Sequence, residues 1–134
     1  MSDEIAVVLD ATALCAYVDG NVAVGELMAE VADEGRQVAV PVTCLAAAYV
    51  ARDGDVDGAL LALLMTAPLI RPFPLGVAEA RAAGRIAALA GRDIALGHAA
   101  HTALAAEAHL ATTEPASAAA VLPARWSILN LGAG

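Results

Sequence analysis

Three side chains stand where the chain could do chemistry. Asp10 directly follows the apolar run of residues 5–9 (IAVVL), Glu114 follows Thr112-Thr113, and His98 lies in an Ala-rich stretch between them. Acids placed after β-branched runs matter because open α/β sheets gather ligands beyond the carboxyl ends of their strands. Carboxylate oxygens there are hard donors that suit Mg2+ or Mn2+, whereas neutral imidazole suits Zn2+, Mn2+ or Ni2+ better. Thr12, two residues after Asp10, is placed either to cap a helix or to hold such a site or its water, and the two roles can coexist.

Other combinations support less. His98 and His101 are three apart on one predicted helix and His109 follows, but no cysteine is spaced to complete a zinc site. The plain reading is a neutral helix histidine bonded to backbone or to a nearby acid, which for His98 includes Asp10. The stretch Asp53-Gly54-Asp55-Val56-Asp57-Gly58 copies the first half of a calcium loop, but Leu61 and Leu64 occupy the ninth and twelfth loop positions. An acidic turn capping a helix is the better reading. Glu26 and Glu30 share a helical face that points to solvent.

Lysine is absent, so there is no phosphate loop, and no Gly-x-Gly-x-x-Gly segment marks a nucleotide cofactor. None of Ser2, Ser117 and Ser127 sits in a nucleophile elbow. A Cys15–His98 thiol pair has nothing in view to lower the thiol pKa, and burial raises it.

These residues need elements to position them. Residues 5–9 read as a buried strand, 11–18 as a short helix, 19–21 as a turn and 22–34 as a helix ended by Gly35. Residues 37–40 form a second strand, a helix runs from Pro41 or Thr43 through Ala51, and another spans 56–66 after an acidic break. Pro68 stops that helix, 69–71 is a third strand, and Pro72 and Pro74 end it. A helix over 75–90 closed by Gly91, a helix over 95–108 capped by Asp93 and a strand at 109–111 follow. A short helix and a last strand at 127–131 complete the order. Strands alternating with helices predict an α/β fold, a three-layer α/β/α sandwich with a central parallel sheet joined by right-handed crossovers.

The 134 residues suit one domain over 1–134 with a sufficient core. A net charge of −8 with no basic cluster excludes nucleic-acid binding by general phosphate attraction. Aromatic residues make up only 3%, leaving little material for base-stacking platforms, so any RNA contact must be local. The start MSDEIAVV has no basic region before an apolar one, and no apolar run is long enough to span a membrane. Cys15 and Cys44 are then expected as buried, reduced thiols in a cytoplasmic protein.

The segments VVLDATAL at 7–14, VPVTCLAAAYV at 40–50, HAAHTAL at 98–104 and LATTEP at 110–115 together resemble the PIN domain of VapC-like toxins, over nearly the whole chain. The resemblance implies a fold whose acids bind divalent metal and cleave RNA, commonly as a homodimer held by an antitoxin. Asp10 matches the family's first acid, and Glu114 its last, with Glu for the usual Asp. Where the family has a Glu this chain has Ala46-Ala47-Ala48, and where its third acid opens the penultimate helix stands His98. Asp93, five residues earlier, is about 7.5 Å away along a helix and on another face, so a cap is its expected role.

Two of four acids cannot offset the charge of two divalent ions, and the extra methylene of Glu114 displaces its carboxylate by about 1.5 Å, against a tolerance of about 0.5 Å. The expectation is a catalytically impaired PIN-like protein acting through RNA or protein binding, as a homodimer or with an antitoxin-like partner. The alternative is an active endoribonuclease using Mg2+ or Mn2+, with Asp10, Glu114 and His98 as metal ligands and Thr12 in support. A purely structural assembly module, with an exposed Ala/Leu-rich helix near 59–65, is the third reading.

Overall fold

In the computed structural model, which describes residues 4–132, five strands form one parallel sheet. The chain runs β1 (Ile5–Leu9), α1 (Ala11–Val18), α2 (Val22–Asp33), β2 (Gln37–Pro41), α3 (Val42–Ala51), α4 (Asp55–Leu64) and β3 (Ile70–Phe73). It continues through α5 (Val77–Ala88), α6 (Ile94–Ala106), β4 (His109–Thr112), α7 (Pro115–Ala119) and β5 (Ile128–Asn130). The strand order is β3-β2-β1-β4-β5, and every pairing is parallel. The fold is α/β, a three-layer α/β/α sandwich, as the alternation of elements predicts.

Central position explains composition. β1 is flanked by β2 and β4, so all five of its residues are buried and both its faces must be apolar. Outward from β1 the sheet becomes more polar, and β3 at one edge exposes Arg71 and Pro72. Pro72 does not stop β3, contrary to the sequence reading; the strand continues to Phe73. An edge strand pairs on one side only, so proline's missing N–H removes no bond to a second neighbour.

Caps place the helices. Asp10 caps α1 through Ala13 N–H at 2.9 Å, Asn21 caps α2 through Ala23 N–H at 2.8 Å, and Asp93 caps α6 through Leu96 N–H at 3.0 Å. Gly35 follows α2 with φ +68, a left-handed conformation that favours glycine. Helices α5 and α6 cross closely because small residues meet there, Gly97 lying against Ala83 and Ala87. Behind them α6 packs on β1, β2 and β4, which ties the helix to the sheet.

Both cysteines are free; Cys44 is buried with its Sγ 3.2 Å from the Ala95 carbonyl, but Cys15 is only half-buried. Burial pushes both thiols up, so neither is a ready nucleophile. Among the described residues no helix is long and apolar enough to cross a membrane. Ser2 lies outside the described residues.

Candidate functional site

From β1 the chain works outward through β2 to β3, then returns past β1 to lay down β4 and β5. That reversal opens a crevice between the ends of β1 and β4, where α/β sheets place ligands. The register sets Leu9 opposite Ala111, so Asp10 and Thr112 leave neighbouring strand ends side by side. The Asp10 N–H donates to the Ala111 carbonyl at 3.2 Å, locking the two ends together.

A recess of about 100 Å3 sits there, lined by Asp10, Thr12, Asp93, Leu96, Glu114 and Ser117 among others. Asp10 is only 4% exposed. Its Oδ1 accepts from the Thr12 hydroxyl at 2.7 Å and from Ala13 N–H at 2.9 Å. The Thr12 oxygen in turn accepts from Thr113 N–H at 2.8 Å, and the Thr112 hydroxyl lies 3.1 Å from it while accepting from Glu114 N–H at 2.9 Å. Thr12 therefore joins the start of α1 to the turn after β4, and it serves as a link more than as a cap. Burial pushes the Asp10 carboxyl above its usual range, and the Thr112 and Thr12 hydroxyls and the Ala13 N–H pull it part of the way back.

Asp10 and Glu114 thus share a recess, as the strand-end argument anticipates. Asp93 adds a third carboxylate that sequence reasoning assigned to capping alone. It does cap α6, yet the N-terminus of α6 reaches the β1–β4 crevice, so one side chain meets both demands. A cap residue opening the helix that precedes β4 was the available signal, but it points to the recess only once β4 is known to lie beside β1.

His98 goes elsewhere. It is 1% exposed, its Nδ1 lies 2.7 Å from the Thr43 hydroxyl, and its ring also bonds the Pro74 carbonyl. A neutral ring that donates to Pro74 accepts from Thr43 at Nδ1, and both nitrogens are engaged. It lines a different cavity from Asp10 and Glu114, so the expected ligand set Asp10, Glu114 and His98 is not assembled, and the alternative His98–Asp10 bond does not form. The physical reason is helical phase: five residues past the cap, the side chain faces α3 and the end of β3. Ala46, Ala47 and Ala48 lie in α3 and line no part of the recess.

Among the described residues no three His, Cys, Asp or Glu side chains are grouped so as to hold a metal ion. Asp10 and Asp93 each use one oxygen on a helix cap. The all-oxygen lining suits one hard divalent cation bound through one or two carboxylates and its own waters, and does not suit a pair of cations. His109 bonds Ser127 at 2.5 Å at the opposite end of the sheet, where both are exposed and nothing orients the pair as a triad would.

Burial holds the His98 ring below its ordinary pKa, and the unfolded chain binds a proton that the folded chain refuses. Stability should therefore fall as pH drops below about 6.5, by at most about 1.4 kcal/mol per pH unit, until the folded ring itself titrates. Urea unfolding followed by Trp126 emission at pH 5 to 7 checks this. A His98→Asn variant should lose that pH dependence, whereas His109→Asn, at an exposed position, should keep it.

Compared with known protein families and with curated proteins, the chain matches none. Fold and site define the class: a parallel-sheet α/β/α domain with an acidic recess at its topological switch point.

Proposed function

We propose that this is a PIN-like domain whose acidic recess is too sparse for efficient phosphodiester cleavage, and which acts by binding a protein partner. The reading rests on one observation: among the described residues no metal-holding cluster of three forms, and the histidine expected to complete it is engaged by Thr43 and Pro74. One or two of the recess carboxylates, among Asp10, Asp93 and Glu114, would hold one hydrated Mg2+ or Mn2+, which when bound supplies positive charge to a substrate phosphate. The chain's own groups do the rest: Thr12 and Thr112 fix the Asp10 carboxylate, and Ser117 offers a hydroxyl at the rim. A protein partner suits the net charge of −8 better than RNA does. Val56, Ala59 and Leu63, on one face of α4, are exposed and apolar, which supports the same choice.

The second reading, an active metal-dependent endoribonuclease, is favoured by the presence of Asp93 in the recess. Calorimetric titration with Mg2+ and Mn2+ and incubation with a mixed-sequence RNA separate the two. The proposal expects Kd values on the order of 1 mM or weaker and RNA loss no faster than with Asp10→Asn. Mn2+-dependent cleavage that disappears in both Asp10→Asn and Asp93→Asn would establish the enzyme and overturn the proposal.

A further inference from the structure

A second cavity, of about 350 Å3, lies between the end of β3, the first turns of α5 and the middle of α6. Its size is that of a small-ligand site. Phe73, Pro74 and Ala105 supply apolar wall, and Glu79, His98 and His101 supply the polar groups. These three behave differently. His98 is held neutral by burial and has both nitrogens engaged, so it is wall. The half-buried His101 ring forms no hydrogen bond among the described residues and is available to a ligand.

Glu79 is held in place without being neutralised. Its Oε1 accepts from Gly76 N–H at 2.9 Å at the start of α5, and no ion pair among the described residues involves it. Arg71, two residues before Phe73 in β3, is paired with Glu4 at 2.9 Å. Its guanidinium carbon also lies 5.6 Å from the centre of the Phe73 ring, so that ring already receives one cation. The cavity therefore joins one positioned negative charge, one free imidazole and an aromatic and aliphatic wall, in a chain whose net charge of −8 attracts cations. An anion would meet Glu79, and a purely apolar ligand would strip water from that carboxylate without replacing it.

We propose that this cavity binds an organic cation, a guanidinium or ammonium on a short apolar stem. The head sits on Glu79 beside His101, and the stem lies against Phe73, Pro74 and Ala105. Such a group comes either as a free small molecule or as the arginine or lysine side chain of another protein.

Backbone 1H–15N spectra, titrated with n-butylguanidinium and separately with N-acetyl-arginine methylamide, test this. The expected result is saturable shifts centred on His101 and Ala105, with Kd on the order of 1 mM. Glu79→Gln keeps an oxygen for Gly76, so the helix start and the melting temperature should survive while affinity falls about tenfold. The neutral analogue n-pentanol should bind at least as weakly as that variant binds the cation. Tighter binding of the capped arginine identifies a protein side chain as the source; tighter binding of n-butylguanidinium identifies a small molecule. No saturable shift at tens of millimolar, equal binding by Glu79→Gln, or equal binding of n-pentanol would each overturn the proposal.

Discussion

Gly97→Ala should lower the thermal midpoint by about 10 °C, corresponding to about 3 kcal/mol. A Cβ at this position would stand 2.3 Å from the Ala83 carbonyl oxygen and 3.0 Å from both the Cβ and the N of Ala87. The nearest obstacle is backbone, so no rotamer change relieves it, and α5 and α6 must separate. That separation also opens the packing of α6 on β1 and β2. Gly84 on α5 is the control, because nothing lies within 4 Å of its would-be Cβ. There alanine should stabilise by about 0.5 to 1 kcal/mol through helix propensity alone. Calorimetric scans of the two variants beside the parent check both signs; equal midpoints for Gly97→Ala and the parent would show that the helices do not need their close approach.

Asp10→Asn should stabilise the protein at neutral pH by about 1 kcal/mol while weakening divalent-cation binding, and Asp10→Ala should destabilise it by about 1 kcal/mol. The asymmetry follows from what Asp10 does. Its Oδ1 caps α1 and receives the Thr12 hydroxyl, and an amide oxygen can accept both bonds, whereas alanine leaves the Ala13 N–H uncapped and removes the acceptor of the Thr12 hydroxyl. The charge is the costly part. Because burial raises the Asp10 pKa, the folded state holds this proton more tightly than the unfolded chain. The stability associated with it is fully present below the unfolded carboxyl pKa and is lost as pH rises through the folded value. Asparagine removes that loss, so the advantage of Asp10→Asn should shrink as the pH is lowered into the carboxylate range. Urea titrations at pH 4 and pH 7 measure it. An Asn variant less stable than the parent at pH 7 would mean that the hydrogen bonds outweigh burial. A more stable Asn variant would show that the chain keeps this buried carboxylate at a cost to stability, the trade expected of a functional residue.

Features set by short-range chemistry were legible in the residues themselves. A continuous apolar run of five residues specifies a strand buried on both faces, and β1 takes the centre of the sheet accordingly. Asp93 before α6 and Gly35 after α2 act within a few residues of themselves, so their capping roles could be assigned without knowing the fold. The pairing of Asp10 with Glu114 was also accessible, because both follow strands and parallel strands end on one side.

What needed the tertiary structure depends on contacts between segments far apart in the chain. Pro72 continues β3 because that strand lies at an edge, a property of strand order that the sequence of IRPF does not contain. Asp93 lines the recess in addition to capping α6, and His98 does not, because the crossing of α6 over the sheet decides which part of the helix meets the crevice. The cap end reaches Asp10, and the residue five positions on turns to Thr43 and Pro74. The cavity beside Glu79 likewise exists only where α5, α6 and the end of β3 meet. Propensity and capping act over one turn, whereas the choice of neighbours is made by burying apolar faces across the whole sheet, and there the sequence determines the outcome only through the packed structure.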